Sequence, residues 1–380
     1  MIVTLPSRAA VGSALLPTGL YLGVRAVGLA VLAMVATARG TTLPAELGSW
    51  DGQWFLALAT GGYDGVPADL VDAFGHRSAE TPLAFFPGYP GAVALVRLLT
   101  GLAPLPGALL TTLLAGVVAA HGLARLGELV PGGSRRAGLV LVVLVAAMPM
   151  GVVFSMAYSE ALFCACTVWA LVAVLRENWL LAGVLTALAG VVRPTAAALV
   201  VAVVGAAVLH GSRRAWGGAL LACAGLAGYV GFVALRSGSP TGWFALQARG
   251  WGSAFDGGRA TLGYAADALG RAPSIMGVTT VAVLLGALAL LVVAVREAVR
   301  GLLPWPLVVF AAGVLVMDLG SDGLMSSKAR LLVPAVTLLA VPALALARLR
   351  VETRVSVLVA AVSASAWFGG YALAVWPYAI

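Results

Sequence analysis

Residues 276–295 read MGVTTVAVLLGALALLVVAV, twenty positions without a charged side chain. A helix that spans a bilayer needs about 20 mostly apolar residues, so this stretch reads as a transmembrane helix. Runs of the same kind lie near 14–38, 84–101, 105–126, 138–156, 160–175, 179–193, 195–209, 215–235, 302–318, 331–347 and 355–376. Several are short, and ten to twelve transmembrane helices are expected. Composition agrees: of 380 residues, 61% are hydrophobic and 10% charged, whereas soluble domains carry about 25% charged residues. A soluble chain this apolar could not cover its surface with polar groups. The expected architecture is an all-α polytopic membrane protein, a single integral membrane domain over 1–380. No segment is large enough to form a separate soluble domain, and no sequence repeat is visible.

The remaining charges sort the loops. Net charge is +8, and 22 of the 23 basic residues are arginine, Lys328 being the sole lysine. The arginines are scattered in short loops rather than gathered on one face, which argues against a nucleic-acid surface. Arg135-Arg136, Arg213-Arg214, Arg296 with Arg300, and Arg348, Arg350 and Arg354 mark cytoplasmic loops by the positive-inside rule. The longer connections, 39–83, 236–275 and 319–330, are expected outside. The first holds six of the fifteen acidic residues (Glu46, Asp51, Asp64, Asp69, Asp72, Glu80) against two arginines. That asymmetry places it on the exterior and the N-terminus in the cytoplasm. One conflict follows: two full spans across 84–126 would leave Arg135-Arg136 outside as well. Either one of those spans is re-entrant or these arginines are exterior. The apolar run after Arg8 is about 25 residues long, too long for a signal-peptide core of about 7–15, and reads as an uncleaved first span. Cys164, Cys166 and Cys223 lie in apolar runs without C-x-x-C spacing. His76, His121 and His210 are far apart, so no metal site is expected.

Charges at bilayer depth are costly and tend to be functional. Arg25 lies inside the first span. Glu160 follows Tyr158-Ser159 between two apolar runs, and Arg193 sits in Val191-Val192-Arg193-Pro194-Thr195 between two more. Asp318, Asp322, Lys328 and Arg330 bracket 319–330. Each reads either as an interfacial cap or as part of a functional path. The first exterior loop carries Ser49-Trp50-Asp51-Gly52-Gln53-Trp54-Phe55, then Gly61-Gly62-Tyr63. Ser49 can cap a helix whose N-terminal end favours a carboxylate. Trp50, Trp54 and Leu58, four apart, form one stripe, so the helix would lie on the membrane surface with Asp51 near the interface. A plain tryptophan anchor with an incidental aspartate has the same spacing. In Ala84-Phe85-Phe86-Pro87-Gly88-Tyr89-Pro90, two prolines within four residues prevent an ordinary helix start.

Together, Trp50-Asp51-Gly52-Gln53-Trp54 with Gly62-Tyr63, followed by Ala84–Pro90, resemble the signature of PIG-V-like proteins, relatives of the second mannosyltransferase of glycosylphosphatidylinositol-anchor assembly. Tyr158-Ser159-Glu160, Arg193 at a helix break, Gln247 with Trp251, and Arg330-Leu331-Leu332-Val333-Pro334 continue the resemblance in the same order. It runs through most of the chain, and the two loop motifs are its specific part. The resemblance implies a GT-C-type glycosyltransferase fold with a long first exterior loop, a lipid-phosphate sugar donor, and a catalytic acidic residue in that loop. By position that residue is Asp51. The compact, arginine-rich composition suggests a bacterial member, where anchor assembly is not expected; the acceptor stays open among lipid, glycan and protein.

On this reading the chain is a membrane mannosyltransferase that moves a sugar from a polyprenyl-phosphate donor to an acceptor hydroxyl, with inversion, on the exterior face of the cell membrane. Phosphate is already a good leaving group, so one base suffices, unlike the carboxylate pair of glycoside hydrolysis. Arg330, Lys328 and Arg193 are candidates to hold the donor phosphate, because preorganised cations stabilise the departing charge and arginine offers a planar fork. Trp50, Gln53, Tyr89, Tyr158, Glu160 and Gln247 are candidate substrate contacts. Glu160 either binds sugar hydroxyls or orients an arginine. Trp50, Trp54 and Tyr89 either stack on sugar, guide lipid or anchor at the interface. No cofactor and no divalent metal is expected; the partners are donor, acceptor and membrane lipids, not nucleic acid. The alternative is a polytopic transporter or lipid flippase, which predicts an inverted repeat with broken helices near midplane. Arg193-Pro194 is one such break, without a counterpart in the other half. A non-catalytic scaffold would leave the loop motifs unexplained.

Overall fold

The computed structural model describes residues 14–271 and 273–380; Arg8 lies outside them. Among these residues the regular structure is helical, apart from one isolated antiparallel bridge between Phe255 and Ser321. In chain order the helices are α1 (Leu16–Ala38), α2 (Leu43–Leu47), α3 (Asp51–Gly61), α4 (Gly88–Thr100), α5 (Pro104–Leu129), α6 (Arg135–Ala146), α7 (Glu160–Leu175), α8 (Trp179–Gly190), α9 (Ala196–His210), α10 (Arg213–Ser237), α11 (Gly242–Trp251), α12 (Arg259–Ala266), α13 (Ile275–Val299), α14 (Trp305–Leu319), α15 (Lys328–Leu331), α16 (Ala340–Arg348) and α17 (Val351–Ala374).

Five of these, α1, α5, α10, α13 and α17, are long and apolar enough to cross a membrane. A bent pair, Met325–Leu331 with Val336–Arg348 at 59°, would make a sixth. Of the other expected spans, 160–175, 195–209 and 302–318 fold as α7, α9 and α14 close to the expected bounds, while the rest fold as shorter pieces, and proline explains most of those breaks. A proline lacks the N–H its helix needs, clashes with the preceding turn and disfavours helical backbone in the residue before it. The run at 331–347 is therefore interrupted at Pro334, after α15 ends at Leu331. The run at 138–156 stops as α6 at Ala146, ahead of Pro149, and continues as a 3-10 turn, Gly151–Ser155. Pro194 separates α8 from α9. The 84–101 run yields only α4, whose 13 residues reach about 20 Å, short of a hydrocarbon core of about 30 Å.

Helix α7 is the centre of the bundle. Phe163, Val168, Ala170 and Leu171 are fully buried, and α7 packs between α5 and α8. The outer helices are apolar in the opposite sense. Leu220 and Leu235 of α10 and Val292 and Val299 of α13 point outward, Leu235 at 86% exposure. In water that surface would cost about 25 cal/mol per Å²; in lipid it costs nothing comparable, and backbone groups are satisfied within each helix.

Without a hydrophobic drive between helices in lipid, small residues set how closely backbones pack. Gly183 and Gly190 of α8 face Gly218 and Gly225 of α10, both pairs seven residues apart. A Cβ on Gly183 would strike the Gly218 carbonyl, and one on Gly225 would strike the Ala187 carbonyl. Arg25, in mid-α1, has a structural role. Its guanidinium donates to the carbonyls of Ala146 and Gly151 and thereby satisfies buried carbonyls at the end of α6 and the start of the 3-10 turn that follows.

Gly225→Ala should therefore lower stability by about 1–3 kcal/mol through overpacking, read as a lower melting temperature in detergent. Gly228→Ala, on the same helix but facing open space, should be neutral or stabilising by up to about 1 kcal/mol, because alanine is the better helix former.

Candidate active site

The site begins one residue before α3. Trp50 has φ of +55°, a left-handed backbone that costs an aromatic residue about 1–3 kcal/mol. That turn removes Ser49 from the capping position the sequence suggested. Trp50 occupies it instead without a side-chain cap, while the Ser49 hydroxyl donates to the Glu46 carbonyl at 2.8 Å. The apolar stripe also loses its first member: Trp54 and Leu58 are buried, but Trp50 swings outward.

Asp51 is thus the first residue of α3, where the partial positive charge of the helix end favours a carboxylate. Its N–H donates to the Tyr158 hydroxyl at 3.2 Å. Its Oδ2 accepts from Arg330 Nη1 at 2.6 Å, joining residues 279 apart in sequence. The Arg330 guanidinium also lies over the Tyr158 ring, 5.2 Å from its centre. Burial pushes the Tyr158 phenol well above its ordinary range, so it stays a neutral hydrogen-bonding group.

A second ion pair adjoins the first through the same short segment. Glu160, the residue that opens α7, is fully buried. Arg193 Nη1 lies 2.6 Å from Glu160 Oε1 and donates to Ser159 Oγ at 3.0 Å. The Glu160 contact is ionic rather than directional, and neither of its carboxylate oxygens has a hydrogen-bond partner among the described residues. The lead-in to α4 is fastened here as well. The Gly88 N–H donates to the Val191 carbonyl at 2.7 Å, and a Cβ on Gly88 would collide with that carbonyl. Glycine is thus required sterically in Phe86-Pro87-Gly88-Tyr89. Gly52 is different, since a Cβ there would make only ordinary contacts with Ala157 and Tyr158.

The structure brings Asp51, Arg330, Tyr158, Glu160 and Arg193 together and gives Lys328, Tyr89 and Gln247 other partners. Lys328 is buried, but its amine donates to the Asp318 and Ser321 carbonyls at 2.5 and 2.7 Å. Residues two apart on a helix do not share a face, so Lys328 turns toward the 319–330 loop while Arg330 meets Asp51. The carboxylate oxygens of Asp318 are buried there without a hydrogen-bond partner among the described residues. Tyr89 is fully buried, its hydroxyl 2.8 Å from Thr112 Oγ1 and its ring edge-on to Phe55; it is wall rather than sugar platform. Gln247 donates to the Ala84 carbonyl at 3.0 Å and so holds the α4 lead-in. Gln53 and Trp50 are exposed beside Asp51. Sequence reasoning missed Tyr229, whose hydroxyl sits 2.8 and 2.7 Å from the Leu83 and Phe85 carbonyls. An uncharged residue inside an apolar run gives no signal of that kind. Among the described residues no three His, Cys, Asp or Glu side chains gather as a metal site.

No family model matches the sequence, and no curated protein does. Among solved structures, the chain is similar to an oligosaccharyltransferase of Archaeoglobus fulgidus crystallised in the apo form, at 13% identity and a TM-score of 0.47. That alignment covers 93% of this chain, which spans about half (55%) of the length of the archaeal enzyme.

The Glu160–Arg193 pair makes a separable prediction. Arg193→Met strands a buried carboxylate, at a cost of about 3–5 kcal/mol. Adding Glu160→Gln should recover most of that loss in thermal unfolding. A loss in the double variant equal to the sum of the losses in Arg193→Met and Glu160→Gln alone would show that the pair is not coupled.

Proposed function

We propose that the chain is a membrane glycosyltransferase of the GT-C type, taking a sugar, mannose by resemblance, from a polyprenyl-phosphate donor. The observation that carries this reading is the Asp51–Arg330 pair. It joins two parts of the chain that the family resemblance includes, the Trp50–Trp54 motif and the less specific Arg330–Pro334 motif.

The chemistry divides between the partners. Asp51 takes the proton of the acceptor hydroxyl as that oxygen bonds to the anomeric carbon. The bond from that carbon to the phosphate oxygen breaks, and the lipid phosphate leaves with the electron pair. Arg330 offers five donors, one of which Asp51 engages, so its fork has capacity for phosphate oxygens. Arg193 supplies a second guanidinium. Glu160 orients Arg193, which selects between its two roles. Lys328 is left out because its amine is bound to backbone carbonyls. The transporter alternative gains only the bent pair near Pro334 as a possible counterpart to the Arg193-Pro194 break, and the clustering of these charges around an accessible carboxylate fits an enzyme better.

The short α4 also offers a consistent topology. With the N-terminus inside, α1 crosses outward, α4 dips without crossing, and α5 returns. Arg135-Arg136 then fall on the cytoplasmic side, as the positive-inside rule requires.

Two measurements test this reading. In isolated membranes given labelled polyprenyl-phosphate-mannose, Asp51→Asn should reduce transfer by about 10²–10⁴-fold, the usual contribution of a general base; unchanged transfer removes Asp51 from that role. In a Cys223→Ser background, the exposed His76→Cys should react with a membrane-impermeant thiol reagent in intact cells. Labelling only after permeabilisation would place the loop in the cytoplasm and overturn the scheme.

A further inference from the structure

The two long loops meet away from the ion pairs. Between residues 72–81 and the end of α11 lies a cleft of about 200 Å³, lined by Asp72, His76, Arg77, Thr81, Arg249 and Trp251 among others. Its walls are stitched together. Ala73 N–H donates to the Gly250 carbonyl at 3.0 Å, and Asp72 Oδ1 accepts the Phe74 and His76 amides at 2.9 Å each. Arg77 is fixed by the Ser78 and Val66 carbonyls, whereas the Arg249 side chain is 71% exposed, its guanidinium 4.0 Å from Glu80. One wall is aromatic: Trp251 packs edge-on against Trp54 and Phe85, with ring centres 6.2 and 5.5 Å apart.

We propose that this cleft is the subsite for one neutral saccharide unit of the acceptor, an assignment that rests on the proposed function. Three observations converge on that class. The two guanidiniums of the lining, Arg77 and Arg249, are offset by the Asp72 carboxylate within it and by the Glu80 carboxylate 4.0 Å from Arg249, which disfavours a purely anionic ligand. Donors, acceptors and one indole face together, matching a ring that carries hydroxyls and an apolar C–H face. The volume is below the ~300–1,000 Å³ of pockets for drug-sized molecules, so it suits a single sugar ring.

The position suits an acceptor. Trp54, which Trp251 touches, lies three residues after Asp51, about 4.5 Å along α3. Arg330 reaches Asp51 from a different part of the chain. The cleft is thus joined through Trp54 to the helix that carries Asp51, and the guanidinium reaches Asp51 directly; inversion requires the acceptor to attack the anomeric carbon on the side opposite the leaving phosphate.

The test uses the full chain in lipid nanodiscs and saturation-transfer NMR with methyl α-mannoside, methyl α-glucoside and methyl β-galactoside. At least one glycoside should bind saturably to the wild type and to Asp51→Asn, and about tenfold more weakly to Arg249→Ala. Arg249→Ala changes an exposed side chain, and its folding is checked by thermal melting. In the transfer assay the same variant should raise the acceptor KM more than it lowers kcat. No saturable binding of any glycoside overturns the proposal, as does binding indifferent to Arg249→Ala and His76→Ala, or Arg249-dependent binding of inorganic phosphate in their place. The two readings fail separately. Arg249-dependent glycoside binding without transfer by the wild type keeps the cleft and removes the transferase. Asp51-dependent transfer with Arg249-independent glycoside binding does the reverse.

Discussion

The ion pair between Asp51 and Arg330 is the contact on which the arrangement of the site depends. Its partners are unequal: the Arg330 side chain is 10% exposed and that of Asp51 is 29%. A guanidinium withdrawn from water needs a compensating charge, so Arg330 relies on Asp51 more than Asp51 relies on Arg330. The asymmetry has a chemical consequence. Under the proposed function, the base is the more exposed member of the pair, open to an acceptor hydroxyl, and the cation is the more buried one.

Tyr158, Ser159 and Glu160 are three consecutive residues that serve both ion pairs. Tyr158 accepts from Asp51 and lies beneath Arg330, while Ser159 and Glu160 hold Arg193. Two carboxylates face two guanidiniums, so the cluster is balanced as it stands. A phosphate entering this balance must draw a guanidinium partly away from its carboxylate. Arginine can share its fork between oxygens in a way a lysine point charge cannot. Under the proposed function, donor binding and the freeing of Asp51 are therefore linked events.

The physical cost of burying charge made much of this cluster visible in the sequence. Glu160 and Arg193 stood out because each interrupts apolar sequence and Arg330 because it opens the Arg330–Pro334 motif of the resemblance, and four of the five residues that converge carry charge. What stayed hidden was direction. Lys328 and Arg330 are two residues apart, and only the helical period separates their roles. Tyr89 and Gln247 have the right chemistry for substrate contact, yet one faces the core and the other a backbone carbonyl. The spans show the same limit: apolarity marked the runs, but Pro149, Pro194 and Pro334 decided which of them remain single helices. The left-handed turn at Trp50 had no signal, since glycine or asparagine would be the usual residue there.

The lead-in at 81–87 shows how distant helices reach the site. Pro82 and Pro87 remove N–H donors from this stretch, and its regular structure is a single 3-10 turn, Thr81–Ala84, so the carbonyls of residues 83–85 need other partners. Side chains from α10, α11 and the first loop supply them: Tyr229 at Leu83 and Phe85, Gln247 and Trp243 at Ala84, Tyr63 at Phe85. Phe85, held from behind in this way, stacks on Trp54 at 5.0 Å. Trp54 lies one turn beyond Asp51 on α3. A shift of α10 or α11 is therefore passed through a satisfied backbone segment and an aromatic stack to the helix that carries the carboxylate. The polar groups that look redundant beside the ion pairs are what make Asp51's position a property of the whole bundle rather than of its own loop.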